Sequence, residues 1–252
     1  MRDMDLLVTT AEQRPDLVPL LGDFDDWPPF MTQDPVAPLY FGDLDAAFPE
    51  FVLIAIDRDR PDRLVAKGYS VPFTWDRAPD APLPAGGWDE VILTATLDRL
   101  AGRRGTTVSA LEISVRPDLR GTGLSSVMLA AMRRNAADRG FADLVAPVRP
   151  SAKHEHPDVS IADYARLRRD DGLPVDPWLR VHVRAGGLIS GVSVRAMTIA
   201  GTLADWRAWT GLPFDATGPV EVPGALVPVH CDTTHGHAVY CEPCVWVRHR
   251  LS

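Results

Sequence analysis

The sequence predicts an α/β fold, a mixed central sheet flanked by helices, on three observations. Leu111, Ile113 and Val115 alternate with Glu112, Ser114 and Arg116, the period-two signature of a strand with one buried face, and Pro117 stops the ladder because it has no N–H to donate. Leu124, Val127, Met128, Ala131 and Met132 recur at i, i+3, i+4, i+7 and i+8, the stripe of a helix lying on a sheet. Strand and helix signals also alternate along the whole chain, and 252 residues with 46% hydrophobic content can bury a sizeable core.

Taken in order, residues 5–10 predict a first strand and 11–21 a helical region. The loop 23–39 follows, from which Pro28-Pro29 excludes helix. The apolar run 51–57 suits a central strand, and 63–74 is its hairpin partner across a turn at 58–62. A helix is expected over 88–101, with Val91, Leu93, Leu97 and Leu100 on one side. After the strand and helix described first, 142–148 reads as a strand parallel to 111–116, because a strand–helix–strand unit with a short return is a right-handed crossover. Residues 151–174 are polar, with a short helix near 161–169. Pro177 and Gly186-Gly187 then bracket a helix, proline at its first turn and glycine at its end. The last strands are 190–199 and 237–249, separated by a helix carrying Trp206 and Trp209 and by a loop at 218–234.

Composition narrows the function. With 26 basic and 34 acidic residues the net charge is -8, which argues against nucleic acid and anionic membrane as partners. No apolar run approaches the ~20 residues of a membrane span, and no leader-like apolar stretch follows Met1. Three cysteines fit reduced thiols better than a disulfide framework, so a cytoplasmic protein is expected. A homodimer is compatible with this composition.

The turn between strand and helix carries the chemistry. Gly121 and Gly123 permit positive φ and close approach of a ligand, so that N–H groups from Arg120 to Ser125 can converge on an anion at a helix N-terminus. Neither G-x-G-x-x-G nor a P-loop ending in G-K-[ST] is present, which disfavours dinucleotides and P-loop nucleotides.

Asp118-Leu-Arg-Gly-Thr-Gly123, after a strand ending in Val115-Arg-Pro117, resembles the signature [RQ]-x-x-G-x-[GA] of the GNAT acyltransferase superfamily, with Asp118 where Arg or Gln is usual. The resemblance implies a GNAT-like splayed sheet in one domain over 1–252, with insertions at about 76–104, 151–174 and 201–236 on the acceptor side. It implies acetyl-CoA, or another acyl-CoA, as co-substrate, its pyrophosphate on the amides of Arg120, Gly121, Thr122, Gly123, Leu124 and Ser125. The thioester would run beside Ile113, Ser114 and Val115, with an oxyanion donor among the backbone amides near Val115. The expected reaction is acetyl transfer to an amine of a small molecule, by direct attack in a ternary complex, because no cysteine lies near the turn in sequence. A non-catalytic acyl-CoA-binding regulatory module is the alternative, and a zinc-binding protein using the C-terminal Cys/His cluster is a third reading.

Two side chains are catalytic candidates. Freeing the lone pair of an amine of pKa ~10.4 near pH 7 costs about 4–5 kcal/mol, so a base is useful. Glu112 reads either as that base or as a solvated strand glutamate. His182 falls where the family's last helix usually carries a tyrosine, and reads either as donor to the departing thiolate or as a hydrogen-bonded helix residue.

Other groups are open to two readings as well. Cys231, His235, His237, Cys241 and Cys244 cluster in sequence, with the C-x-x-C spacing of a zinc site, yet positions three apart on a strand face opposite ways. Buried thiols without a metal are the expectation. Lys153, His154, Glu155 and His156 form a polar knot that could meet an acceptor, and Arg103 and Arg104 could meet the adenosine phosphate. Trp75, Trp88, Trp178, Trp206, Trp209 and Trp246 divide between core and pocket wall.

Overall fold

The computed structural model describes residues 4–25, 27–78 and 81–251; the predicted loop at 23–39, the insertion expected at about 76–104 and the N-terminal leader expectation fall partly outside them. Nine strands form one sheet in the order β1-β2-β3-β4-β5-β9-β8-β7, with β6 on the other side of β9. β1 (Leu6–Thr10), β2 (Val52–Asp57), β3 (Arg60–Phe73) and β4 (Thr107–Val115) run antiparallel in turn, and β5 (Asp143–Val148) lies parallel to β4. β9 (His237–Arg250) pairs with β5 along its second half and with β6 (Leu188–Thr202) along most of its length. The short strands β7 (Gly218–Val220) and β8 (Val229–Asp232) lie within the predicted 218–234 loop; three and four residues are too few to show a period.

Helices cover both faces. α1 (Gly87–Leu100) and α5 (Leu203–Thr210) lie over a core holding Trp88, Ile92, Trp206 and Trp246. α2 (Leu124–Asp138), the single-turn α3 (Ile161–Tyr164) and α4 (Pro177–Arg184) lie over the other, around Met128, Met132, Leu144 and Val247. α4 starts at the predicted proline: Pro177 occupies the first turn, and Asp176 before it caps the helix by accepting from the amides of Trp178 and Leu179. Residues 15–22 form a 3-10 helix, consistent with two prolines in eight residues.

Two faces differ from expectation. α1 buries Trp88, Val91, Ile92, Ala95 and Asp98, while Leu93, Leu97 and Leu100 are exposed. The helix has two overlapping stripes at i, i+3, i+4, and the one ending at Asp98 wins because that buried carboxylate accepts from the Thr74 amide and pairs with Arg103. On α2 Val127 is exposed and Leu129 takes its place in the core. Among the described residues, no helix is long and apolar enough to cross a membrane.

Candidate active site

The sheet opens at its centre. β4 and β5 pair only at Val108 with Leu144 and Ser109 with Val145, so the β4 edge from Ala110 to Val115 that faces β5 has no strand partner. A cleft of about 1020 Å³ fills the gap, running from the glycine turn past Glu112 and His182 to Arg149 and Glu242. The splay that the resemblance implied is therefore present, and it exposes backbone along the segment assigned to the thioester.

At one end stands the anion turn. Gly121 and Gly123 have φ of 77° and 91°, the left-handed region that favours glycine. Nothing lies within 4 Å of a Cβ built at either position, so conformation and open approach, not packing, set the requirement. The Ser126 amide makes the first hydrogen bond to Gly123 O, and α2 has no acidic residue in its first turn. The amides of Thr122 to Ser125 thus stand at the positive end of a 15-residue helix, a fit for a pyrophosphate. Thr122 turns its hydroxyl back to Leu119 O, at 2.6 Å, so its contribution to such a ligand is its amide. Asp118 ion-pairs with Arg63 of β3, so its charge is already matched. Gly123→Val is expected to weaken binding of an anionic ligand at this turn about 10-fold by titration calorimetry, because a β-branched residue resists this φ by ~1–3 kcal/mol.

Glu112 owes its direction to a β-bulge. Tyr69 pairs with Glu112 and Ser70 with Ala110, which leaves Leu111 as the extra residue. Leu111 and Glu112 therefore share one face, and Leu111 packs with Trp88 in one core while Ile113 and Val115 pack against the other. The alternation read from sequence breaks at that point. The Glu112 carboxylate accepts from Trp27 Nε1–H at 3.0 Å and from Ser114 Oγ–H at 2.6 Å, one donor per oxygen, so each oxygen keeps a lone pair. Trp88 donates Nε1–H to the bulged Leu111 carbonyl and lines the cleft with Trp27. Burial, and next the Glu112 charge, pushes the neighbouring Tyr69 phenol up, so it stays protonated.

His182 lines the cleft from α4 but is only 1% exposed. Its Nδ1 lies 2.9 Å from His249 Nε2, and Trp178 packs edge-on at 4.5 Å. Burial, and then His249, pushes its pKa down to about 3, so the ring is neutral at physiological pH. Across the cleft, Arg149 ion-pairs with the buried Glu242 at 2.6 Å, and Tyr240 donates its hydroxyl to the same carboxylate. Cys244 also reaches the wall, although no cysteine is near the turn in sequence. Burial pushes its thiol up, which keeps it protonated and a poor nucleophile.

Other candidates lie elsewhere. Arg103 pairs with Asp98, and Arg104 donates to Arg139 O and stacks over Phe141. Both precede β4, whose nine residues put roughly 26 Å between them and the turn, which removes them from the phosphate end. Of the polar knot only His154 lines the cleft; Lys153 is buried and donates to His156 O and Leu226 O, stitching the 151–174 segment to the loop before β8. Among the described residues no three His, Cys, Asp or Glu side chains gather as a metal site. Trp206 and Trp246 are core residues whose indole N–H groups donate to Ala238 O and Pro84 O. Trp27, Arg149, Glu242 and His249 were not singled out from sequence, since each meets the site through a contact distant along the chain.

No protein-family model matches the chain. The arginine N-acetyltransferase avaD of Aspergillus versicolor is 35% identical over 272 aligned positions, which cover 96% of this chain and 93% of that protein. Among solved structures, the loading GNATL domain of CurA from Lyngbya majuscula aligns over 98% of this chain and 96% of its own, at 19% identity and a TM-score of 0.56. The GphF GNAT-like decarboxylase in complex with isobutyryl-CoA aligns over 98% and 100%, at 17% identity and 0.52. Both likenesses are of fold. A relative this similar along nearly the whole chain, together with a sheet that parts beside a glycine turn at a helix N-terminus, makes this chain a member of the GNAT superfamily of N-acetyltransferases.

Proposed function

We propose that this chain transfers the acetyl group of acetyl-CoA to a nitrogen of arginine or a closely related cationic small molecule, by direct attack in a ternary complex. The observation that carries the reading is Glu112, a carboxylate at the opened edge of β4, held by Trp27 and Ser114 and flanked by Trp88. Two indoles and a carboxylate suit a cation, and the net charge of -8 favours its approach. The similarity to an arginine N-acetyltransferase supports arginine as the first acceptor to try.

In this reading the turn at Arg120 to Ser125 holds the pyrophosphate, and the unpartnered β4 backbone near Val115 supplies the oxyanion donor. Glu112 takes the proton from the attacking nitrogen, which forms the C–N bond as the C–S bond breaks. His182, being neutral, donates a hydrogen bond to the leaving thiolate and keeps its proton, because surrendering it would leave an imidazolate. The protonated Cys244 fits direct transfer without an acyl-enzyme. A cytoplasmic setting, where its three cysteines stay reduced, belongs to the same proposal.

Release of CoA thiol from acetyl-CoA, followed with arginine, agmatine, ornithine, lysine and an arylalkylamine, tests it. Arginine or agmatine is expected to give the highest kcat/KM, with a monoacetylated product by mass spectrometry. Binding of acetyl-CoA without thiol release on any of these amines would refute it.

A further inference from the structure

His182 does not face the cleft alone. The ring of His249, on β9, lies behind it with both side chains at most 1% exposed, and the 2.9 Å contact between His182 Nδ1 and His249 Nε2 joins them. Such a bond needs one N–H and one lone pair, so two neutral arrangements are available. If His249 donates, the proton of His182 sits on Nε2, on the part of the ring left for the cleft. If His182 donates, its Nε2 is bare and His249 must carry its own proton on Nδ1.

The far side of His249 decides between them. Its Nδ1 is buried with no hydrogen-bond partner, and the charge acting on that ring is Arg133 of α2, whose Nε is likewise buried without one. An N–H at Nδ1 would be a buried, unsatisfied donor beside a cation, whereas a lone pair there is attracted by it. Burial, and then Arg133, pushes the His249 pKa down to about 4, which removes the doubly protonated ring from the choice near pH 7.

We propose that His249 is a positioning residue that, by donating Nε2–H to His182 Nδ1, fixes His182 as the Nε2–H tautomer and so presents an N–H rather than a bare nitrogen to the cleft. The inference rests on the reading that an acyl-CoA thioester occupies this cleft. As the C–S bond breaks, the electron pair stays on sulfur and the resulting thiolate accepts the His182 Nε2–H hydrogen bond. The proton lost by the acceptor nitrogen goes to Glu112 and then to water, and the thiolate takes one proton from water. A bare Nε2 would instead set a lone pair against the developing negative charge. Arg133 acts one step further back, biasing His249.

Nitrogen-15 NMR of the intact, histidine-labelled protein reads the tautomer directly, with His182 assigned by its loss in His182→Asn. The expected wild-type signature is a protonated Nε2 and a bare Nδ1 on His182; a protonated Nδ1 overturns the proposal. His249→Phe is expected to mix the two tautomers and lower kcat about 10- to 100-fold with KM for acetyl-CoA unchanged. His249→Gln, whose amide N–H can still donate to Nδ1, is expected to restore most of that loss. His249→Phe with a wild-type spectrum and wild-type kcat overturns the proposal too. Far-ultraviolet circular dichroism and acetyl-CoA titration report whether the variants fold. The two levels separate cleanly: absence of turnover in the wild type sinks the acetyltransfer reading and leaves the tautomer spectrum to stand or fall alone. Wild-type kcat in His182→Asn would remove the leaving-group role and overturn the proposal with it.

Discussion

Glu112→Gln is expected to lower kcat about 10²- to 10⁴-fold at pH 7 while leaving acetyl-CoA affinity unchanged, the range for losing a general base. Gln keeps the length of the side chain, and its carbonyl can still accept from Trp27 Nε1–H, so the β4 edge and the bulge at Leu111 stay in place. What it cannot do is take a proton. In the proposed reading the nucleotide is anchored by the turn at Gly121 and Gly123, beyond the end of β4, so binding and proton transfer are spatially separate. The pH profile gives a second check. For an amine acceptor the deficit should shrink as pH rises toward the acceptor's own pKa, because more of it arrives deprotonated and needs no base. Steady-state rates from pH 6 to 10 measure both effects, and a constant wild-type rate across that range would show that another group, or solvent, takes the proton.

The features that sequence revealed are the local ones. Strand, Pro117, two glycines and a phased helix all lie within thirty residues, so β4, the anion turn and α2 could be placed from spacing alone, and the parallel β5 followed from crossover handedness. The bulge at Leu111 was hidden, because one extra residue leaves the apolar alternation unchanged on paper while reversing which face each side chain meets. Trp27 was hidden for a different reason: it meets Glu112 across 85 positions, from a loop with no periodicity to read. The same holds for His182 with His249, 67 positions apart, and for Arg149 with Glu242. A buried ion pair or histidine pair is made by the fold, and its members look like ordinary surface residues until the strands are assembled. Asp34 and Asp89 are a further case.

Raising the pH from about 5 to 8 is expected to destabilise the protein, and Asp89→Asn to remove much of that loss. Asp34 Oδ1 accepts from the amides of Val36 and Ala37, each at 2.8 Å, and Asp89 Oδ2 accepts from the Thr198 amide at 3.1 Å. The remaining oxygens, Asp34 Oδ2 and Asp89 Oδ1, are buried with no donor besides the Thr198 amide that the two carboxyls share, and the carboxyls bond each other, which requires one proton between them. Burial, and then the Asp34 charge, pushes Asp89 up to about 8, against ~3.9 in an unfolded chain. Between those values the folded state holds the proton and the unfolded state does not, so stability falls with rising pH; it is complete below about 4 and lost as pH passes 8. The difference corresponds to at most ~5–6 kcal/mol, and relaxation around the pair makes ~2–3 kcal/mol a realistic loss. Asn at 89 keeps an acceptor for the Thr198 amide and offers Asp34 Oδ2 an N–H at every pH. Its melting temperature should therefore exceed the wild type's at pH 8 by about 4–12 °C, since 1 kcal/mol shifts a chain of this size by ~2–4 °C. Parallel melting curves for the two proteins across pH 5–9 would refute the shared proton. Asp34 sits seven residues after Trp27, on the segment that reaches Glu112, and the pair ties that segment to α1 and β6. Above pH 8 the loss of the tie should therefore raise the acceptor's KM in the wild type before the protein melts, and Asp89→Asn should hold that KM flat.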